Sequence, residues 1–354
     1  MKKYKLKKIF RPDWTKGNNR NKKLLWLDKN ENTDELLLNN ISKIIKKVDA
    51  INYSTYPDLA KLYKKLAKKL QINPKNIMLT AGSDLGIKTV FDSFIEKNDY
   101  VLRTNPTFAM YSVYNQVFKT REKIINYKYH DSGPYLAIEN IIDKLKKFRF
   151  RLVCLPNPDS PTGHTFSDEE INKLLKVAKK RESLVLIDEA YYPFYPSSCL
   201  KFIKKYDNLI ITRTTSKAWG LAGLRVGYIL SSKKLIEEMH KTRPMYEINS
   251  LGAEVFFKLL DNYSFVKKSV KRLAQGKNFF KKELIKKGYR VFKKENGNFL
   301  HVNFGKDREK IFRGLKNTVY FRKLELHGSM KNFSRFSLTT RKNFKKILNI
   351  IKKI

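Results

Sequence analysis

Acidic residues are scarce in this chain: 33 aspartates and glutamates stand against 75 lysines and arginines, so its 354 residues carry a formal charge of +42. Such an excess invites a nucleic-acid or anionic-membrane partner. The basic residues, however, are mostly lysines spread along the chain in pairs such as Lys46-Lys47, Lys64-Lys65, Lys179-Lys180 and Lys281-Lys282. Pairs of that kind on amphipathic helices form solvated faces, and no single basic arm dominates. The expectation is no specific nucleic-acid partner, only a general field that attracts anionic ligands. Cysteine is scarcer still. Cys154 and Cys199 cannot build a disulfide framework, which points to a reducing, cytoplasmic setting. No apolar run approaches membrane-spanning length, and the charged start Met1-Lys2-Lys3-Tyr4 lacks the apolar stretch of a signal peptide. His130, His164, His240, His301 and His327 show no metal-ligand spacing, so no metal site is assigned. Internal repeats and low-complexity linkers are missing too.

What is present is a chain with 42% apolar residues, enough for one large domain and a smaller one. Residues up to about Asn21 are basic and polar and read as an arm. A short apolar segment, Leu24-Leu25-Trp26-Leu27-Asp28, runs into the polar turn Lys29-Asn30-Glu31-Asn32-Thr33. Leu59, Leu62, Tyr63, Leu66 and Leu70 recur at helical spacing, and Asn73-Pro74 stops that helix. Short apolar runs follow: 77–80, 100–103, 151–155, 184–187, 209–212 and 226–230, separated by helix-length segments such as 168–180. Continuous apolar runs of this length are strands buried on both faces of a mostly parallel sheet, an α/β arrangement. After Met245 the pattern changes to lysine-rich helical stretches and the strand-like runs 289–292, 299–304, 319–322 and 333–338. The expected division is a large domain over 45–245 and a smaller α+β domain over 246–354, completed by 1–44.

In such a sheet a ligand sits beyond the carboxyl ends of the strands. Four chemistry-bearing stretches fall just after the apolar runs: Gly82-Ser83-Asp84, residues 157–163, Asp188 to Tyr191, and Thr214 to Lys217. The last continues as Ser216-Lys217-Ala218-Trp219-Gly220-Leu221-Ala222-Gly223-Leu224-Arg225-Val226-Gly227. A lysine held unprotonated bonds covalently to a carbonyl, and hydroxyls beside an arginine cradle a phosphate. Pyridoxal 5'-phosphate demands that combination. Asp188 has two readings, a cap for the next turn or the partner of a protonated pyridine nitrogen. Phe108 is either core or a platform for a cofactor ring. Ser83 and the backbone at Gly82 suit a phosphate at a helix N-terminus. Arg322 and Arg335 sit within apolar alternations, which fits an inward anion site and a half-exposed strand equally well.

Asn157-Pro158-Asp159-Ser160-Pro161-Thr162-Gly163, Asp188-Glu189-Ala190-Tyr191 and the Lys217 stretch together resemble the class I/II aminotransferases of fold type I, and among them the histidinol-phosphate aminotransferases. The resemblance runs from about Leu24 to the C-terminus. It implies a large domain built on a mostly parallel, seven-stranded type of sheet, with Lys217 holding pyridoxal phosphate and then moving a proton. Asp188 would meet the ring nitrogen, Tyr191 and Ser160 the ring hydroxyl, and Phe108 the ring face. Gly82, Ser83, Asp84, Thr214, Ser216 and Arg225 would bind the phosphate. Tyr56, in Tyr56-Pro57-Asp58, would reach the phosphate of a neighbouring subunit, implying a homodimer. Arg335 and Arg322 would bind the anionic end of the substrate. The implied reaction is amino transfer from L-histidinol phosphate to 2-oxoglutarate, giving imidazole acetol phosphate and L-glutamate. The alternatives are transfer from an aromatic amino acid or a sugar-pathway amine, decarboxylation of a phospho-amino acid, or a nucleic-acid-binding scaffold. Three positions depart from the family pattern: Ser160 replaces an asparagine, Thr33 follows Asn30-Glu31-Asn32 where proline is usual, and Thr339-Thr340 replaces Gly-Thr.

Overall fold

The structure, a computed structural model, describes residues 20–130, 132–324 and 330–354. The basic arm expected before Asn21 and His327 fall almost wholly outside these residues. Seven strands form the central sheet: β1 (Ile77–Thr80), β2 (Tyr100–Asn105), β3 (Arg121–Asn126), β4 (Leu152–Pro156), β5 (Leu184–Asp188), β6 (Leu209–Thr214) and β7 (Gly227–Ser231). Their order across the sheet is β1-β7-β6-β5-β4-β2-β3. β7 is antiparallel to both of its neighbours, so the other six strands share one direction.

Six of the seven strands are legible as apolar runs because both faces are covered; β4, β6 and β7 are buried throughout. The seventh, β3, is missed. Its sequence, Arg-Glu-Lys-Ile-Ile-Asn, lies at the sheet edge with exposed and half-buried positions alternating. An edge strand faces water and can be charged, so it carries no apolar signature.

The helices follow their sequence signals closely. Asp168–Lys180 opens on a capping box in which Ser167 and Glu170 each bond the other's backbone amide. It buries Ile171, Leu174, Leu175 and Ala178 along one stripe. The 24-residue helix Tyr263–Lys286 buries Val266, Ser269, Leu273, Gly276, Phe280 and Leu284. A Cβ at Gly276 would sit 2.1 Å from the Thr339 carbonyl, so only glycine lets the two backbones meet there.

A second, fully antiparallel sheet comprises β8 (Arg290–Val291), β9 (Phe299–Asn303), β10 (Arg322–Lys323) and β11 (Ser334–Ser337), in the order β8-β9-β11-β10. Leu300, Val302 and Phe336 join Phe280, Phe344 and Ile347 in one apolar core. The larger core around the central sheet also takes in Leu37 and Ile41 from the N-terminal side and the stretch from Ile248 to Val266. The two cores therefore meet within helix Tyr263–Lys286, between Val266 and Leu273, whereas the change of sequence pattern falls at Met245. Leu25–Trp26 pairs in parallel with Val319–Tyr320 as a separate two-stranded sheet, and Leu27 and Val319 join the smaller core, which ties the N-terminal segment to that unit.

Gly227 opens β7 where it passes Gly82. A Cβ there would lie 2.5 Å from the Gly82 carbonyl carbon and 2.7 Å from the Arg213 carbonyl oxygen, both backbone atoms that cannot swing aside. Gly227→Ala should cost about 1–3 kcal/mol, as overpacking does. A denaturant midpoint unchanged from wild type counts against that close approach.

Candidate functional site

Because six strands run the same way, β1, β2, β4, β5 and β6 deliver their C-terminal residues to one edge of the sheet. The antiparallel β7 begins there, so Arg225, two residues before it, arrives at the same place. One cavity at this edge is lined by Ser83, Asp84, Phe108, Ser160, Asp188, Tyr191, Thr214, Ser216, Lys217 and Arg225. Ten of the residues expected from sequence are thus brought together from six separate stretches. Gly82 lies just outside the lining; a Cβ on it would come within 2.6 Å of Arg225 Nη2.

At one end of the cavity, helix Gly82–Phe94 starts without a side-chain cap. Its leading amides have no intrahelical partner and favour negative charge. Arg225 Nη1 donates to Ser216 Oγ at 3.3 Å, and Nη2 donates to the Ala81 carbonyl at 3.2 Å. Thr214 Oγ1 donates to Ser216 Oγ at 3.0 Å. Hydroxyls, a guanidinium and free helix amides on one point form an anion cradle.

Asp188, at the end of β5, is 5% exposed. Its Oδ1 accepts from Thr212 Oγ1 at 3.0 Å and from the Ala190 amide at 3.1 Å. Both donors are neutral, and no cationic side chain pairs with it among the described residues. Burial pushes its carboxyl up to about 7, with the hydrogen bonds opposing and Asp84 and Asp159 adding to the rise. A buried carboxylate in that state calls for a cation from a ligand.

Lys217 Nζ donates to the Lys29 carbonyl at 3.0 Å. Burial holds its pKa down at about 8; among the charges Arg335 acts most strongly in the same direction, Glu31 opposes, and Arg225 and Arg322 add to the depression. About a tenth of the amine is therefore unprotonated at neutral pH, far more than for an ordinary lysine, as a nucleophilic lysine requires. Tyr191 is buried, its hydroxyl accepts from Asn30 Nδ2 at 2.9 Å, and the Ser160 hydroxyl on the same cavity wall opposes the rise that burial gives the tyrosine's pKa. Ser160 is thus at Tyr191 despite being shorter than the family's asparagine. Behind the loop, Asp159 accepts from Thr107 at 2.6 Å and Thr162 at 2.9 Å, joining the Phe108 segment to residues 157–163.

The two arginines of the smaller sheet separate. Arg335 is 7% exposed, donates from Nη2 to the Asp28 carbonyl at 3.0 Å, and lies 5.7 Å over the Phe299 ring. No carboxylate pairs with it among the described residues. Burial holds it down at about 10, and Arg322 works the same way. Arg322 faces Arg335 across the strand pair but is itself exposed. Tyr56 is outside the cavity, 76% exposed and stacked on Tyr246 at 4.0 Å.

The sequence reading missed the part played by the N-terminal segment. The carbonyls of Asp28 and Lys29 and the amide of Asn30 reach Arg335, Lys217 and Tyr191 in turn, while Asn32 Nδ2 donates to the Ala218 carbonyl at 3.0 Å. Asn30 has φ 57°, a left-handed conformation that asparagine tolerates. The only signal was the polar, aperiodic run 29–33.

A phosphorylated pyridine aldehyde matches these features one by one: an anion cradle, a buried carboxylate lacking a cation, and a depressed lysine between them. Because Arg335 is the largest charge lowering Lys217, Arg335→Gln should raise the pH midpoint for capture of an aldehyde by Lys217 above about 8. A midpoint that stays in place means burial alone sets it.

The family model for aminotransferase class I and II matches residues 22–351. The chain is 31% identical over 352 residues to a histidinol-phosphate aminotransferase of Clostridium novyi, covering 98% of this chain and 95% of that protein. Among solved structures, the histidinol-phosphate aminotransferase from Clostridium acetobutylicum is similar with a TM-score of 0.79 and 24% identity, over 93% of this chain and 98% of that one. The Sinorhizobium meliloti histidinol-phosphate aminotransferase in complex with pyridoxal-5'-phosphate gives 0.76 and 20%, over 93% and 91%. A chain matched over nearly its whole length, with a lysine, an unpaired carboxylate and an anion cradle at one sheet edge, belongs to the class I and II aminotransferases.

Proposed function

We propose that this aminotransferase uses pyridoxal phosphate to move an amino group from L-histidinol phosphate to 2-oxoglutarate, giving imidazole acetol phosphate and L-glutamate. One observation carries the substrate reading: Arg335 is buried without a carboxylate partner and is close enough to depress Lys217. A buried guanidinium in that state favours an anionic substrate end. The names of the similar proteins support the same donor.

When bound, pyridoxal phosphate supplies an aldehyde for amino groups and a ring that draws electrons away from the substrate Cα. The chain's own residues do the rest. Asp188 holds positive charge on the ring nitrogen, and its burial makes that pairing strong. Tyr191, with Ser160 and Asn30 on its hydroxyl, orients the ring oxygen. Phe108 covers a ring face. Arg225, Ser216, Thr214, the Ser83 hydroxyl and the backbone amides from Gly82 to Asp84 anchor the phosphate end. Lys217, once its Nζ is free, takes the proton from the substrate Cα and returns it to the acceptor carbon; a pKa of about 8 suits both directions. Arg335, with Arg322 at the mouth, holds the substrate's anionic end.

The same reading makes the protein a cytoplasmic homodimer of two-domain subunits, whose domains divide within helix Tyr263–Lys286 where the two cores meet. Tyr56, projecting with Tyr246 from the surface near Ala81, serves the partner's phosphate site. Among the described residues no helix is long and apolar enough to cross a membrane.

Donor preference is checked with a panel of L-histidinol phosphate, phenylalanine and a sugar-linked amine; faster transfer from either of the last two replaces the proposed substrate. Lys217→Ala should abolish the cofactor's visible absorption band and transfer together, and turnover that survives it removes the lysine's role. Mixing Lys217→Ala subunits with Tyr56→Ala subunits tests the shared site. Activity should reappear, because one site in each mixed dimer receives an intact Lys217 and an intact Tyr56 from different chains. No recovery places Tyr56 in its own subunit's site, or nowhere near one.

A further inference from the structure

In the smaller sheet, directly opposed residues share a face. His301 on β9 opposes Arg335 on β11, and Arg335 opposes Arg322 on β10, so the three side chains form a row across the sheet. The alternate positions Leu300, Val302 and Phe336 point into the apolar core instead. His301 is fully buried at one end of this row, between the rings of Phe292 at 5.5 Å and Phe299 at 5.4 Å. Its Nδ1 meets Glu295 Oε2 at 2.7 Å, and its backbone amide donates to Glu295 Oε1 at 3.1 Å. A carboxylate only accepts, so Nδ1 carries the proton and Nε2 presents a lone pair. Among the described residues Nε2 has no partner, and neither has the Nε–H of Arg335. A buried acceptor and a buried donor, each unmatched, thus lie on the same face of paired strands.

Glu295 itself is held from several sides. Lys277 Nζ donates to its carbonyl at 2.9 Å, Lys281 Nζ donates to the Lys293 carbonyl at 2.8 Å, and the amide of Asn296 donates to the Gly163 carbonyl at 2.8 Å. Burial pushes His301 below its ordinary pKa; Glu295 opposes this, and Arg335 and Lys277 add to it, so the ring is neutral and keeps its acceptor at working pH.

We propose that Glu295 and His301 form a buried positioning pair that orients the Arg335 guanidinium toward the anionic end of the amino donor. This rests on the reading of Arg335 as the substrate-anion residue. Glu295 fixes the imidazole tautomer, the imidazole lone pair attracts the Nε–H side of Arg335, and Asp28 holds Nη2. The remaining donors of the guanidinium are left for the substrate.

The decisive variant is His301→Asn, which retains an N–H for Glu295 and removes the Nε2 acceptor; His301→Leu removes both. KM and kcat for L-histidinol phosphate are measured on the holoenzymes, with the cofactor absorption band and the unfolding midpoint followed in parallel. KM should rise about tenfold in His301→Asn, about 1.4 kcal/mol of lost orientation of Arg335, while kcat, the band and the midpoint hold. A wild-type KM overturns the proposal, and so does a KM that rises only together with loss of the band or the midpoint. Arg335→Gln separates the two levels: an unchanged KM there removes the role of Arg335, and the pair's role with it. A raised KM there beside a normal KM in His301→Asn removes the pair alone.

Discussion

A carboxylate buried at a strand end with only neutral donors beside it is the constraint around which the site is arranged. Asp188 is satisfied locally by Thr212 and Ala190, yet neither supplies charge, and burial raises its carboxyl accordingly. The cost of burying that group is met only when a cation comes to it. Lys217 stands in the mirror situation, an amine depressed by burial and by neighbouring arginines. One group lacks a positive partner and the other is relieved of its proton. A ring with a basic nitrogen at one position and an aldehyde at another would satisfy both, and the uncapped start of helix Gly82–Phe94 with Arg225 is an anion cradle of the kind its phosphate needs.

Strand direction is what makes the convergence affordable in a chain of this length. Six co-directional strands drop their C-terminal residues on one edge, and reversing only β7 brings Arg225 to the same edge. The smaller sheet contributes none of the residues that line the cavity, yet its Arg335 is close enough to Lys217 to lower that amine's pKa. Its row Arg322, Arg335 and His301 passes from exposed to buried. Between the two units runs the segment 28–34. Arg20 bonds Asp28 and Glu31, and Arg272 pairs with Asp34, so an irregular stretch is held by ionic contacts at both ends while its carbonyls and amides touch Arg335, Lys217 and Tyr191.

Much of this arrangement is legible in the sequence. The buried strands were visible because burial on both faces demands continuous apolar runs. Helix Asp168–Lys180 is legible as a helix-length segment between two apolar runs, and its capping box and buried stripe agree with it. The residues Asp188, Tyr191 and Lys217 stand out because each follows an apolar run, and Arg225 because it lies in the glycine-rich stretch after Lys217, each with a group that needs a partner. The edge strand β3 did not stand out, since solvent on its edge removes the apolar requirement.

By itself, then, the sequence determined the α/β architecture, the lysine and its phosphate cradle, and the chemistry they can support, because local pattern and residue type are one-dimensional properties. Tertiary structure decided the rest. Only register across β9, β10 and β11 sets His301, Arg335 and Arg322 in one row on one face, and only packing leaves Arg322 exposed while Arg335 is buried, although spacing alone treats both arginines alike. Only folding brings Asn30 to Tyr191, 161 positions away, and the Asp28 carbonyl to Arg335, 307 positions away. Hydrogen-bond partners of that separation leave no periodicity in a sequence; they exist because two packed cores clamp one irregular strap between them.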